Sequence, residues 1–204
     1  QVDAAAVAER LADRLRPPVR LVALSHVPTG NGLVNPAAAV GRLAREAGVP
    51  YLLDACQSAG QMPLDVEALG CDMLSATGRK YLRGPRGTGL LYVRRGFLDR
   101  LDPPFLDQHA ADLISPDEYR MRGDARRFES WERFCAGQAG LAAAMDYACD
   151  IGLARIYARI RLLASTLRRR LTGLPGVEVC DGGVEQCGIV TFRVAGQAPE
   201  AVKA

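Results

Sequence analysis

Short apolar runs alternate with amphipathic stretches through the first half of the chain. This pattern predicts buried strands at residues 20–27, 51–53, 72–76 and 89–93. It predicts helices between or before them, at residues 4–15, 36–47 and 66–69. Asn35 is expected to cap the second of these helices, with Pro36 at its first position and Gly48 at its end. Strands that alternate with helices predict an α/β fold with a mostly parallel sheet.

The second half of the chain has a different pattern. Residues 102–130 are polar and proline-containing and predict an irregular loop, and long helices are predicted at residues 131–149 and 152–172. Two strands are predicted near residues 177–180 and 187–194, followed by a helix that begins at Pro199. We therefore expect a large domain over residues 1–150, then an interdomain helix and the beginning of a small α+β domain over residues 151–204. Because both ends interrupt predicted structure, the chain is expected to be a segment of a longer protein.

Composition narrows the classes of partner. Hydrophobic residues make up 49% of the 204 residues, but no apolar run approaches the roughly 20 residues needed to cross a bilayer. The net charge of +3 is too small to indicate a nucleic-acid partner, and residues 168–170, three consecutive arginines, are interpreted as a solvated helix face. A cytoplasmic protein without membrane or nucleic-acid partners is expected.

Cysteine and histidine spacing does not indicate a metal site. The six cysteines form no C-x-x-C pair, and the chain has two histidines. Cys180 and Cys187 are candidates for neighbouring positions on paired strands, but reduced, buried cysteines are the preferred interpretation. His26 is expected to be a hydrogen-bonded core residue and Cys56 a small packing residue, although either residue type is also found in catalysis.

Polar side chains follow the predicted strands at the points where ligands bind in parallel sheets. Asp54 and Gln57 follow the second strand, the third delivers residues 77–80, and Thr29 follows the first. Of the 26 basic residues 24 are arginine, so a lysine at position 80 suggests a need for an amine nucleophile. An acid, an amide, a hydroxyl, an arginine and a lysine at one edge suit pyridoxal 5′-phosphate (PLP). The lysine would bond to the aldehyde, and the acid would pair with the pyridine nitrogen.

Four motifs in order carry a family resemblance. They are DACQSAG at residues 54–60, LGCD at 69–72, TGRK at 77–80 and GPRGTG at 84–89. At these residues the chain resembles the class V aminotransferases of PLP fold type I, a family that includes cysteine desulfurases. The stretch at residues 77–89 is most similar to the subgroup of the ergothioneine-pathway C–S lyase and the selenocysteine lyase-like enzymes.

The resemblance implies a role for each matched residue. Lys80 would be the Schiff-base lysine, Asp54 the pyridinium partner and Gln57 a donor to the cofactor's phenolic oxygen. Thr77 and Arg79 would contact the phosphate, with Arg79 in place of the usual histidine. Thr29 stands where the family has an asparagine near the cofactor hydroxyl and the substrate carboxylate. The residues that stack on the ring, form the early phosphate loop and supply a persulfide cysteine are expected outside these 204 residues.

The resemblance also implies an activity and an assembly. We expect a PLP-dependent enzyme that acts on a small amino-acid substrate by C–S lyase or cysteine desulfurase-like chemistry. Transamination, epimerisation and decarboxylative C–C bond formation in the same family are alternatives, and a non-catalytic fragment or scaffold is a second alternative. A homodimer is expected because enzymes of this family complete each pocket from both subunits.

Overall fold

A four-stranded sheet lies at the centre of the structure, a computed structural model that describes residues 3–203. Its strands are β1 (Val22–Ser25), β2 (Tyr51–Asp54), β3 (Met73–Thr77) and β4 (Gly89–Val93). The order is β1-β2-β3-β4, with the first three strands parallel and β4 antiparallel to β3. The α/β architecture with a mostly parallel sheet is thus confirmed.

Three helices accompany the sheet: α1 (Ala4–Ala12), α2 (Ala37–Glu46) and α3 (Val66–Leu69). The buried face of α2 includes Val40 and Ala44, which belong to the same apolar core as Tyr51 and Leu53 of β2. Full burial of a side chain the size of Val40 or Leu53 contributes about 1.5–3 kcal/mol. Gly41 is required in this packing, because a Cβ atom there would collide with the Leu69 carbonyl. The core therefore fixes the sheet, and with it the edge where the candidate chemistry lies.

The capping prediction for Asn35 is wrong. The α2 helix begins at Ala37 with no side-chain cap, and Asn35 Nδ2 instead donates to the Ser25 carbonyl at 2.8 Å. The bond joins the loop after β1 to the end of that strand. A cap would use the Asn35 side-chain oxygen as an acceptor, whereas the observed bond uses Nδ2 as a donor and turns the amide towards β1.

Part of the predicted irregular loop is ordered as a hairpin. Strands β5 (Ala111–Ser115) and β6 (Glu118–Met121) pair antiparallel, and short 3₁₀ helices lie at Arg95–Arg100 and Ala125–Phe128. The hairpin is largely exposed, so its alternation had no clear apolar face for the sequence pattern to reveal. The Trp131 side chain, just after this segment, is 60% exposed.

The remaining elements are two long helices, a small two-stranded sheet and a terminal helix. They are α4 (Cys135–Ile151), α5 (Leu153–Thr172), β7 (Val177–Val179), β8 (Phe192–Val194) and α6 (Pro199–Lys203). The β7 and β8 strands pair antiparallel. Within residues 3–203, none of the helices combines the length and apolar character that spanning a bilayer requires.

The interpretation of residues 168–170 as a solvated face is wrong for Arg168. Its Nε donates to Asp181 Oδ2 at 2.7 Å, and the Asp181 side chain is completely buried. Arg169 and Arg170 are exposed as expected. Helical spacing predicted that the apolar side chains of this helix face inward, but Leu162 is 57% exposed. Arg168 faces inward instead, because its guanidinium pairs with the buried Asp181 carboxylate.

Candidate active site

The carboxyl ends of β1, β2 and β3 bring polar residues to one edge of the sheet. Ser25 and Asp54 are register partners at the last positions of β1 and β2, and Asp54 pairs with Ser75 of β3. Thr77 ends β3, and Lys80 follows in the turn. The sequence-based expectation that Asp54, Thr77 and Lys80 lie at the same edge is met by this topology.

Asp54 is held as a carboxylate. Its Oδ1 accepts a hydrogen bond from the Cys56 backbone N–H at 2.9 Å, and its Oδ2 accepts one from Ser25 Oγ at 3.2 Å. Burial raises the pKa of Asp54, but these hydrogen bonds and the nearby positive charge of Lys80 outweigh burial and place the pKa below its ordinary value. The side chain is therefore ionised at neutral pH and suited to stabilise a cationic N–H group.

Lys80 is half-buried in a turn built by backbone hydrogen bonds. Its carbonyl accepts from Arg83 N–H at 2.9 Å, while Gly78 N–H donates to Thr88 O and Gly84 N–H donates to Gly78 O, both at 2.8 Å. Among residues 3–203, no carboxylate oxygen lies within the 4.0 Å of Nζ that defines an ion pair. The amine therefore acts on Asp54 through its charge without being bonded to it.

Two glycines allow the turns of the site to approach each other. Gly60 adopts φ +81°, and a Cβ atom there would lie 2.5 Å from the Leu82 backbone nitrogen. Gly78 has no room for a Cβ because Thr88 Oγ1 occupies that space. The turn after β2 thus packs directly on the backbone that follows Lys80, which fixes the height of Lys80 relative to Asp54.

The other predicted cofactor residues differ in how firmly they are placed. Gln57 is half-buried, and in the described part of the chain its side-chain amide has no hydrogen-bond partner. Thr77 Oγ1 points to the Thr88 carbonyl at 3.5 Å, the limit of a hydrogen bond, and Arg79 is exposed. Thr29 is exposed in the loop after β1, and no hydrogen bond among residues 3–203 connects its side chain to Asp54 or Lys80.

Cys56 lies inside the cluster. Burial raises the pKa of its thiol, and the hydrogen bond and negative charge of Asp54 raise it further, against smaller opposing effects of the Thr77 backbone and Lys80. A thiol held in its neutral form is a poor nucleophile, which favours the predicted packing role. All six cysteines are unpaired.

His26 is the buried, hydrogen-bonded core histidine that was predicted. Only 6% of it is exposed, and Nδ1 lies 3.1 Å from Ser58 Oγ. Burial lowers its pKa despite the opposing charge of Glu185, so the ring is neutral at physiological pH. Its backbone N–H donates to the Asp54 carbonyl at 2.9 Å, which adds a second link between β1 and the Asp54 turn.

Sequence reasoning missed Ser25 and Gln61 as members of this region. Ser25 is the last residue of β1, and only the pairing of β1 with β2 shows that its hydroxyl donates to Asp54.

No group of three or more potential metal ligands occurs within residues 3–203. A cavity of about 380 Å³ lies beside Lys80 and Tyr81 against α5, but neither Asp54 nor Gln57 lines it.

A family profile and a curated relative match almost the whole chain. The profile described as Aminotransferase class-V matches residues 3–204. A probable cysteine desulfurase of Methanothermobacter thermautotrophicus is 32% identical over 194 residues, which cover 95% of this chain and 48% of the relative. The chain therefore spans about half the length of the curated relatives it matches.

Solved structures share the fold. The apo cysteine desulfurase from Thermococcus onnurineus NA1 is 30% identical, with a TM-score of 0.84 over 96% of this chain and 49% of that chain. Two structures of the cystine C–S lyase C-DES are 32% identical, each with a TM-score of 0.83. The complex with its reaction product cysteine persulfide covers 94% of this chain and 53% of that one. A mutant with glycine covalently linked to the PLP cofactor covers 92% and 50%.

Proposed function

Since the chain belongs to the aminotransferase class V family and has the α/β fold of PLP fold type I enzymes, we propose that it holds PLP between Asp54 and Lys80. We further propose that the protein cleaves a C–S bond of a cysteine-type amino acid. One observation carries the proposal: an ionised carboxylate and a half-buried lysine amine share one sheet edge, and the positive charge of the lysine helps to lower the pKa of the carboxylate without an ion pair between them. PLP requires two such groups at opposite ends of its ring.

The residues present fit the cofactor chemically. Asp54 already accepts two hydrogen bonds and retains a lowered pKa, so it can accept a further bond from a protonated pyridine nitrogen. The Gln57 amide, without a partner in the described residues, is available to the phenolic oxygen. Thr77 and Arg79 supply a hydroxyl and a guanidinium for the phosphate. Thr29, which is exposed, is retained as a contact near the cofactor hydroxyl and the substrate carboxylate.

When bound, PLP supplies an electron-withdrawing ring that stabilises negative charge at the substrate α-carbon. Asp54 maintains the proton on the ring nitrogen because its own carboxyl does not take up that proton at neutral pH. Lys80 would hold the cofactor through a bond from Nζ to its aldehyde carbon, and the same amine, once released by the substrate amine, would be the base that takes the α-proton. A sulfur leaving group would then depart from the β-carbon with the electron pair of the C–S bond.

The choice of C–S cleavage is supported by similarity to two kinds of enzyme. The T. onnurineus protein is a cysteine desulfurase, and C-DES is a cystine C–S lyase whose product is cysteine persulfide. The motif at residues 77–89 supports placement near the ergothioneine C–S lyase and selenocysteine lyase-like subgroup. Transamination, epimerisation or decarboxylative C–C bond formation would use the same Asp54 and Lys80, so the products decide among them.

The full-length protein tests this proposal. We expect a visible absorbance band on addition of PLP, and release of sulfide or persulfide from cysteine or cystine. A keto acid without sulfur release would indicate transamination. A full-length protein that binds no PLP would contradict the proposal and favour a non-catalytic scaffold.

A homodimer and a cytoplasmic location belong to the same proposal. Large apolar side chains are exposed in the segment 102–134, where Phe105 is 86% and Leu113 75% exposed, and a second copy of the chain would cover them. Sedimentation of the full-length protein tests the dimer, and a monomer would contradict it.

Unpaired cysteines support a reducing compartment and with it the cytoplasmic location. Cell fractionation tests this location, and recovery outside the cytoplasm would contradict it.

A further inference from the structure

Gln61 is completely buried, and both ends of its side-chain amide bond to the backbone. Its Nε2 donates to the Gln57 carbonyl at 2.8 Å, and its Oε1 accepts from the Gly188 N–H at 2.6 Å. Gln61 and Gly188 are 127 residues apart in the chain. A buried amide with donor and acceptor both satisfied is stable in place, and either bond is costly to leave unmade.

The segment around residue 188 is a fixed anchor. Cys187 is completely buried, and its N–H donates to the Gly32 carbonyl at 2.8 Å. Arg168 Nη2 donates to the carbonyls of Cys187 and Ile189, at 2.9 and 2.7 Å. The buried Asp181 carboxylate pairs with the same guanidinium. The segment is therefore held by independent charged and neutral hydrogen bonds before Gln61 is considered.

Gly188 permits this close approach. A Cβ atom at this position would lie 2.5 Å from Ile160 Cγ2 and 3.0 Å from Gln61 Oε1. Only glycine brings its N–H to the buried amide without displacing the side chains of Ile160 and Gln61. The distance from the anchor to Gln61 is thus set by packing.

The turn that carries Gln57 receives this constraint. Ser58 and Ala59 N–H groups both donate to the Ala55 carbonyl, at 3.1 and 2.8 Å, so the turn is a compact unit. The Gln57 side chain has no partner of its own among the described residues. The Cα–Cβ direction in which this side chain leaves the backbone therefore follows from the orientation of the Gln57 peptide, whose carbonyl Gln61 holds.

We propose, on the basis of the PLP function above, that Gln61 is a positioning residue that aims Gln57 at the cofactor by tying its peptide to the 187–189 segment. The 187–189 segment, which lies within the predicted beginning of the small domain, is thereby coupled to the turn that carries Gln57.

The test is a double-mutant cycle in the full-length protein, read out by PLP titration and by the absorbance band of bound cofactor. Gln61→Met keeps the side-chain length but loses both hydrogen bonds. It is expected to raise the Kd for PLP about tenfold, which is about 1.4 kcal/mol, and to shift the band. Gln57→Ala should produce the same shift, and the double variant should be no worse than Gln57→Ala alone.

Tyr157→Phe is the matched control. It removes the 2.9 Å bond from Tyr157 Oη to Glu185 in the same carboxyl-terminal segment and leaves Gln57 untouched, so its Kd should stay within about twofold of wild type. A wild-type Kd for Gln61→Met, or an effect that adds in full to that of Gln57→Ala, overturns the inference. Failure of the wild-type protein to bind PLP would instead contradict the proposed function itself.

Gln61→Glu gives a second test if the methionine variant does not fold. A protonated glutamic acid can still donate to the Gln57 carbonyl and accept from Gly188, whereas an ionised one repels that carbonyl. Its Kd for PLP relative to wild type is therefore expected to rise as the pH rises from about 5 to 8. A ratio near one across that range overturns the inference.

Discussion

Two turns of this protein use aspartate in the same local way and differ in what else the carboxylate meets. Asp54 accepts a hydrogen bond from the backbone N–H two residues later, and Asp124 does the same with Arg126. The Asp124 carboxylate also accepts hydrogen bonds from the Arg126 guanidinium, the shortest at 2.6 Å, and this interaction lowers the pKa of Asp124. Asp54 has a lowered pKa and a lysine nearby but no ion pair.

The comparison shows that an aspartate after a strand is not by itself evidence of a site. At Asp124 charge is neutralised within the protein, at the surface. The Asp54 carboxylate lies near the Lys80 amine but is not paired with it. Two glycines and the buried His26 fix the backbone around these two groups. The separation is what a ligand between them would use, and the predictions below test it in order of expected effect.

Lys80→Ala should have the largest effect. Loss of the amine removes both the attachment point and the α-proton base, so C–S cleavage should fall by about 10³-fold or more, because a positioned base alone contributes about 10²–10⁴-fold. Steady-state kinetics with cysteine measure this. Lys203→Ala, at the exposed α6 lysine, is the control and should retain wild-type kcat. Equal activity of the two variants would contradict the role of Lys80.

Asp54→Asn tests the comparison directly. The amide oxygen can still accept from the Cys56 N–H and the amide nitrogen can donate to Ser25 Oγ, but the negative charge is lost, so kcat should fall by about 10²–10³-fold. Asp124→Asn removes a carboxylate with the same local geometry and should leave kcat unchanged, because its charge is already paired at the surface. Similar losses of kcat in both variants would show that activity depends on the local turn geometry that Asp54 and Asp124 share, and not on the proximity of Asp54 to Lys80.

Gly60→Ala should destabilise the fold as well as the site. Gly60 combines positive φ with backbone contacts, so we expect a loss of about 3 kcal/mol or more in the free energy of unfolding. Gly87→Ala has a similar φ of +80° but nothing within 4 Å, and should cost about 1 kcal/mol. Denaturant titration measures both. Equal losses would mean that the close approach to the Lys80 turn is not rigid.

The pH dependence of stability should show a small effect of His26. Its folded-state pKa is lowered by burial, so the unfolded chain takes up a proton first as the pH falls below about 6.5. Stability should therefore decline between that pH and the lower folded-state pKa. In His26→Gln this decline should be smaller, whereas the decline below about pH 4, where the carboxyl of Asp54 titrates, should remain. Unfolding midpoints measured from pH 3 to 8 check this, and an unchanged slope near pH 6 would contradict it.

Local patterns were sufficient for much of the fold and for placing Asp54 and Lys80 at one edge of the sheet. The strand at Gly89–Val93 was predicted at its observed bounds, and the residues that follow the parallel strands made Asp54 and Lys80 candidates for a site. This works because buried strands have a distinctive apolar pattern, and topology brings their carboxyl ends together.

Long-range pairing could not be predicted from such patterns. Gln61 meets Gly188, and Arg168 meets Asp181, across segments that sequence spacing does not relate. Asn35 was predicted to be a helix cap because no local sequence pattern indicates its hydrogen bond to the Ser25 carbonyl. Buried polar groups choose partners that only the packed fold brings near, so these contacts appear first in three dimensions.

Reductive trapping of the cofactor tests the central claim most directly. Full-length protein incubated with PLP and reduced with borohydride should carry the phosphopyridoxyl mass on the peptide that contains Lys80, and the label on that peptide should disappear in Lys80→Ala. A label on another lysine, or no label in a protein that is folded, would contradict the assignment.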